Sequence, residues 1–317
     1  MKSLIEYIKE SLIVEGGNAV NGTPMTQTQA KAVFEDVVDK LLPKLGLFEK
    51  GTDYEALGSF GKKYENQTSG DIDIAVSIEG IAAYFGISID EVEDKIISIC
   101  EENHLKYNYG KGIHVVSLAW PIPGTKDYGQ VDLMPSDNME YSKWMYHSPD
   151  FTKAESKYKG LFRNQLIMAI IKYADQKVLS KNEQDEVMEY ERYALRLNSG
   201  IARTVRSHVG KKGRLKNPKA IKELEQHITN VPKEIVELAF GKGTKVKNTM
   251  TFEDCYKLFM KDSFPWKDQR DNIVTSFVKE IFNTKVPVPS EMYNDFEDLI
   301  NPLQEEHEKK LEKQNNE

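Results

Sequence analysis

In Asp71-Ile72-Asp73-Ile74, acidic and apolar residues alternate one for one. Successive side chains of a β-strand point to opposite faces, so this spacing predicts a strand with both carboxylates on one side and both isoleucines turned into a core. The apolar partners mark a strand, and the acids mark a site. A later segment, Gln130-Val131-Asp132-Leu133-Met134, sets a third acid between apolar residues on another expected strand.

Four stretches, 54–57, 71–76, 113–120 and 130–133, read as strands. They are short, rich in β-branched or aromatic residues, and bounded by Gly, Pro, Asp or Ser. Helices fall around them. From Thr26 onward, Ala30, Val33, Phe34, Val37, Val38, Leu41 and Leu42 repeat at helical spacing and stop near Pro43 to Gly46. Ser88 and Glu91 form a capping-box pattern ahead of Val92, Ile96, Ile97 and Ile99. Residues 16–150 are therefore expected to form an α/β (α+β) domain with a small mixed sheet. After Pro149 the strand signals fade, and 155–180, 183–207, 218–228, 233–240, 252–262 and 269–283 read as helices. The expectation is an all-helical domain over 151–300 and a polar tail over 301–317.

Hydrophobic residues make up 39% and charged residues 29% of the 317 positions, a composition of globular proteins. No apolar run approaches the roughly 20 residues needed to span a bilayer. Cys100 and Cys255 are far apart and in no CxxC pair, so neither a disulfide framework nor a zinc cluster is suggested. A formal charge of −7 argues against indiscriminate coating of nucleic acid. Against that total, 198–222 holds no acid but includes Arg203, Arg206, Lys211, Lys212 and Arg214. Such segregation fits a nucleic-acid or nucleotide-phosphate surface, with a solvated loop as the alternative.

Carboxylates converging on one patch raise one another's pKa unless a cation neutralises them. Hard divalent ions meet that need, Mg²⁺ above all, with Mn²⁺ as the alternative. Two such ions about 4 Å apart can clamp the attacking and leaving oxygens of a phosphoryl displacement. Asp71 and Asp73 would then bridge both ions, and Asp132 would ligate the ion at the acceptor and help deprotonate it. Upstream, Gly58-Ser59 follows a strand and opens a turn with Gly61, Lys62 and Lys63. Glycine lets backbone N–H groups approach phosphate, the serine hydroxyl adds a donor, and Lys62 or Lys63 could offset triphosphate charge. A one-metal glycosyltransferase Asp-x-Asp site is the rival, and it would need neither the Gly-Ser turn nor the third acid.

An apolar residue, Gly-Ser, eleven intervening residues, Asp-apolar-Asp-apolar and a later apolar-Asp-apolar stand together in residues 57–76 and 130–134. This combination resembles the DNA polymerase β nucleotidyltransferase superfamily, which includes poly(A) polymerases, CCA-adding enzymes, oligoadenylate synthases and cyclic-dinucleotide synthases. The resemblance implies that Asp71 and Asp73 bind both metals, that Asp132 completes the site, and that an NTP is the substrate. Residues 155–164 resemble the helix that supplies a triphosphate-binding lysine in poly(A) polymerase and archaeal-type CCA-adding enzymes. Lys157 and Lys159 are both candidates, with Arg163 beside them. The implied reaction moves a nucleoside monophosphate to a hydroxyl and releases pyrophosphate. An RNA 3′ end, tRNA included, is the preferred acceptor. Nucleotidylation of a protein or small molecule, second-messenger synthesis, and a catalytically silent internal protein are the alternatives.

The first fifteen residues resemble the capsid-targeting propeptides of internal proteins in T4-like bacteriophages, with Ile13-Val14-Glu15 before Gly16 as the cleavage pattern. Ile8-Lys9-Glu10 before Ser11 fits as well, and a docked amphipathic helix is the other reading. The propeptide reading implies packaging in a virion, with the capsid and prohead protease as partners, and delivery into the cytoplasm of a bacterial host.

Among the remaining features, His114 and His147 lack ligand-spaced partners, and Gly241-Lys242-Gly243-Thr244 lacks the first glycine of a phosphate-binding loop. Tyr141, Trp144, Tyr146 and Phe151 fit packing across the domain boundary better than stacking on a base.

Overall fold

The computed structural model describes residues 19–111, 113–181, 187–209 and 215–284, together with Pro289 and Met292. The expected propeptide, Lys211, Lys212, Arg214 and the polar tail lie outside the described residues. The architecture is mixed α/β.

Strand β1 (Met25–Thr26) leads into helix α1 (Gln27–Lys40), whose first turn is closed by a capping box between Thr26 and Gln29. Ala30, Val33, Phe34 and Val37 form its buried stripe, as the helical spacing requires. Strands β2 (Tyr54–Ala56), β3 (Thr68–Ser69) and β4 (Asp71–Ser77) follow. Helix α2 (Ile78–Phe85) starts at Ser77, whose hydroxyl accepts the Gly80 N–H at 3.0 Å. The Ser88–Glu91 capping box forms as expected and precedes α3 (Val92–Glu102). Strands β5 (Lys106–Gly110), β6 (Val115–Pro121) and β7 (Tyr128–Ser136) complete a five-stranded sheet of order β2-β4-β7-β6-β5.

Within this sheet β4 and β7 run parallel, and every other neighbour is antiparallel. Ile72, Ile74, Val131 and Leu133 turn to one face and are buried with Val33, Val37 and Ile96 from the covering helices. The opposite face carries the acids at one end. At its other end Leu57, Ala75, Val115 and Met134 make a small apolar cluster with Met139 and Tyr146.

Beyond the sheet come α4 (Met139–Met145) and α5 (Gly160–Tyr173). Tyr141 and Trp144 of α4 pack in one core with Phe162, Leu166 and Ile170 of α5, the packing role expected for them. Helices α6 (Pro232–Phe240), α7 (Phe252–Phe259) and α8 (Arg270–Thr284) contribute to the same core.

The expectation of an all-helical second half is overturned. Residues expected as helices at the end of 155–180 and over 183–207 and 218–228 form an antiparallel meander of β8 (Lys177–Lys181), β9 (Val187–Arg196), β10 (Gly200–Val209) and β11 (Leu215–Thr229). Apolar residues at 187, 190, 194 and 195 satisfy helical spacing, but Asn198-Ser199-Gly200 breaks it with a turn in which Gly200 takes φ +81°. The β-branched run Ile201, Thr204, Val205 and Val209 then favours a strand. Pro218 lies on β11, an edge strand of this sheet, where a missing N–H is tolerated. Among the described residues no helix is long and apolar enough to cross a membrane.

Candidate active site

The parallel pairing of β4 with β7 sets the site. It aligns Asp73 with Asp132 and Asp71 with Gln130, so two acids from distant parts of the chain face each other across neighbouring strands. On the far side of β7, Ser117 of β6 is the register partner of Asp132. Adjacent strands lie about 4.8 Å apart. The three expected carboxylates are thus brought to one face of the sheet.

Their electrostatics follow from that placement. Burial first, and then the charges of Asp71 and Asp132, hold the Asp73 carboxyl well above the usual carboxylate range. Burial also raises Asp132, opposed by hydrogen bonds from Ser117 and Gln130. The Gln130 side-chain amide donates to both oxygens of Asp132, at 3.0 Å each, and its own carbonyl accepts the Ala19 N–H at 3.1 Å. Neither Gln130 nor Ser117 is marked as a site residue by the motif that marks the aspartates. The signal was there in the two-residue spacing of Gln130 and Asp132, which puts both on one strand face.

The Gly-Ser turn closes over the acids. Gly58 has φ +61°, and a Cβ added to it would lie 2.8 Å from Asp73 Oδ2. Only glycine allows the backbone so near that carboxylate. The turn is pinned by Leu57 N–H donating to the Asp73 carbonyl at 2.8 Å and Gly58 N–H donating to the Tyr146 carbonyl at 3.1 Å. Ser59 is half-buried beside it. Gly58 also bridges to His147, whose carbonyl leaves no room for a Cβ on Gly160 at the start of α5. This chain of close approaches seats Gly160, the first residue of α5, against the residue that bridges to Gly58; Lys157 and Lys159, just ahead of it, are exposed.

The remaining candidates divide. Lys62 is half-buried and donates to the Ser148 carbonyl at 2.8 Å, and burial lowers its pKa. Lys63 donates to the Thr68 carbonyl at 2.8 Å. Arg163 is a correction. It is 0% exposed inside the second core, donates from Nε to the Thr249 carbonyl at 2.5 Å, and lies 4.7 Å from the Trp144 ring centroid. A side chain so enclosed is a packing residue and not a contact for a nucleotide arriving from solvent. Arg203 pairs with Glu191 at 3.0 Å, while Arg206, three residues on, points from the opposite face of β10. The two are not one surface.

Tyr146 is a residue the sequence reading placed only in packing. Its hydroxyl donates to Asn198 at 2.9 Å, and burial together with the Asp73 charge raises its pKa. Burial and the neighbouring Lys62 and Arg163 lower His147 to about 4, so it is neutral at pH 7.

Whether the acids suit a metal is a matter of donor chemistry. They offer oxygen only, and the charges of Asp71 and Asp132 act on a buried Asp73, a setting a hard divalent cation relieves. Among the described residues no group of three or more His, Cys, Asp or Glu side chains is already gathered into metal-holding geometry. The aspartates share a face, and a cation would have to draw them in.

No family model matches the chain, and no curated protein does. Among solved structures it is similar to Cid1, described as an RNA terminal uridylyl transferase, at 14% identity over 54% of this chain and 45% of that one, with a TM-score of 0.28. A second Cid1 structure, with its short product ApU, is 13% identical over 55% of this chain and 48% of that one, with a TM-score of 0.26. The match thus spans just under half the length of Cid1. Polymerase β of Leishmania infantum, in a ternary gap complex, is similar at 12% identity over 79% of this chain and 82% of that one, with a TM-score of 0.37.

Proposed function

We propose that this chain is a Mg²⁺-dependent nucleotidyltransferase that moves a nucleoside monophosphate from an NTP to a hydroxyl, with an RNA 3′ end as acceptor. The observation that carries the reading is the register of β4 against β7, which sets Asp73 opposite Asp132 beneath the Gly58 turn.

Asp71, Asp73 and Asp132 would hold the metal, which when bound supplies charge neutralisation and activation of the acceptor hydroxyl. The chain's own groups do the rest. Gly58 and Ser59 would present a backbone and hydroxyl surface to the triphosphate, and Lys157 and Lys159, exposed just ahead of α5, would supply positive charge to it. Gln130 fixes the Asp132 carboxylate. Lys62, tied to the Ser148 carbonyl, braces the turn. The test is incubation of the full chain with each labelled NTP and total bacterial RNA. Transfer of label to RNA 3′ ends supports the reading, and its absence with every NTP removes it.

Two outcomes are expected within this reading. Gln130→Leu removes the donor to both Asp132 oxygens, and partners of metal ligands are typically worth 10- to 100-fold in metal affinity. The Mg²⁺ concentration for half-maximal transfer should rise by about tenfold or more, measured by titrating the metal, while an unchanged requirement would deny Gln130 that part. Neutralising Lys211, Lys212 and Arg214 together should weaken RNA binding and flatten its salt dependence. NTP affinity should stay the same, as read by fluorescence anisotropy at several salt concentrations. Loss of NTP binding with RNA affinity intact would instead put this segment over the triphosphate.

A further inference from the structure

A cavity of about 250 Å³ lies in the second half of the chain, away from the aspartates, where α5 and α8 pack against β9 and β10. Its lining is basic. Lys172 of α5, Arg192 of β9 and Arg206 of β10 face it, against the single carboxylate of Glu280 on α8. Arg196 also reaches it but is paired with Glu225 at 2.5 Å. Among the described residues, three cations and one acid leave an excess of two positive charges in a half-buried space.

Like charges do not gather in a partly desolvated pocket without cost, because each loses hydration and repels its neighbours. The antiparallel register sets Arg192 directly opposite Thr204, and Arg206 opposite Tyr190 one pleat away, so the three polar side chains share one face of the pair. On that face the Nε of Arg192, the Nε of Arg206 and the Thr204 hydroxyl are all buried with no hydrogen-bond partner among the described residues. Buried polar atoms normally find partners, and two orphaned donors on arginines that line the cavity mark the place of an acceptor, with the Thr204 hydroxyl buried behind them. Lys172 is held over the space by donating to Ser276 at 2.8 Å. Burial and the neighbouring guanidinium groups lower the pKa of both Lys172 and Arg192, in keeping with a cluster that lacks a counter-ion.

We propose that this cavity binds a phosphate dianion, free or as the end of a larger phosphorylated molecule. Guanidinium forks match phosphate oxygens in pairs, and a dianion balances the excess charge. The volume falls below the roughly 300–1,000 Å³ of pockets that enclose whole drug-sized ligands, which suits one or two phosphoryl groups. This site is independent of the catalytic reading.

The test is thermal unfolding of the full chain in EDTA, which keeps the aspartates from holding phosphate through a metal, with inorganic phosphate, pyrophosphate or AMP as probe. Each probe that binds should raise the melting temperature in a saturable way. Arg206→Gln should weaken that response at least about tenfold, and Arg206→Lys should lose less. Lys172→Met, on a different element, should weaken it too and covers the case in which the strand variant does not fold. A stronger response to AMP than to phosphate would point to a larger phosphorylated molecule, and equal responses to the free anion, both in support. No saturable shift with any probe up to about 10 mM, or shifts unaltered by Arg206→Gln and Lys172→Met, would overturn the proposal.

Discussion

Replacing Asp73 by Asn is expected to lower the rate of nucleotidyl transfer by at least about 10³-fold, since metal positioning supplies most of the catalysis in phosphoryl transfer. Fold and melting temperature should survive. Asp73 is pressed by burial and by the charges of Asp71 and Asp132, so a neutral isostere relieves repulsion instead of breaking a bond. A pH signature follows. The folded carboxyl titrates above its unfolded value of about 3.9, so between those two values the native chain keeps a proton that the unfolded chain has released. In metal-free buffer wild-type stability should therefore decline as pH rises through that window, and Asp73→Asn should lack this part of the decline. Single-turnover kinetics with saturating NTP and melting curves across pH check both halves. Activity within tenfold of wild type would remove Asp73 from the chemistry.

Gly58→Ala should also damage transfer strongly, although alanine carries no charge and adds one carbon. That carbon would stand 2.8 Å from Asp73 Oδ2 at a position whose φ is +61°. Left-handed backbone costs an alanine about 1–2 kcal/mol, and the clash forces either the turn or the carboxylate to move. Displacement by 1 Å at a reacting centre is worth about 10² in rate. The expected result is a kcat loss of that order with a modest fall in melting temperature. A large loss of stability with kcat intact would instead make Gly58 a folding residue only.

The strand bearing Asp71 and Asp73 was legible because its acids leave the alternating pattern no competitor, and Ser88–Glu91 because a capping box is a local device. The parts that escaped depend on distant contacts. Strand β5, Lys-Tyr-Asn-Tyr-Gly, alternates only two tyrosines over five residues, too short a signal alone, and is held as a strand by the edge of β6. In β9 the long stems of Arg192 and Arg196 count as polar in a periodicity, yet one lines a cavity and the other pairs with Glu225. Arg163 stands beside Lys157 and Lys159 as a candidate triphosphate contact in the sequence, but α5 is buried on nearly every side, so even its arginine goes inside. Gln130 shares a strand face with Asp132 by its two-residue spacing, but the orientation of its amide is held by Ala19, a contact across 111 positions.

The parallel pairing of β4 with β7 has a kinetic consequence. Every residue from Ile78 to Asp127 must be threaded as a crossover before Asp73 can stand beside Asp132. Closing a loop of that length is an entropic barrier that local helices and hairpins do not face. After dilution from denaturant, helical signal should return ahead of NMP transfer, and the delay between the two would time the closure of this one strand pair.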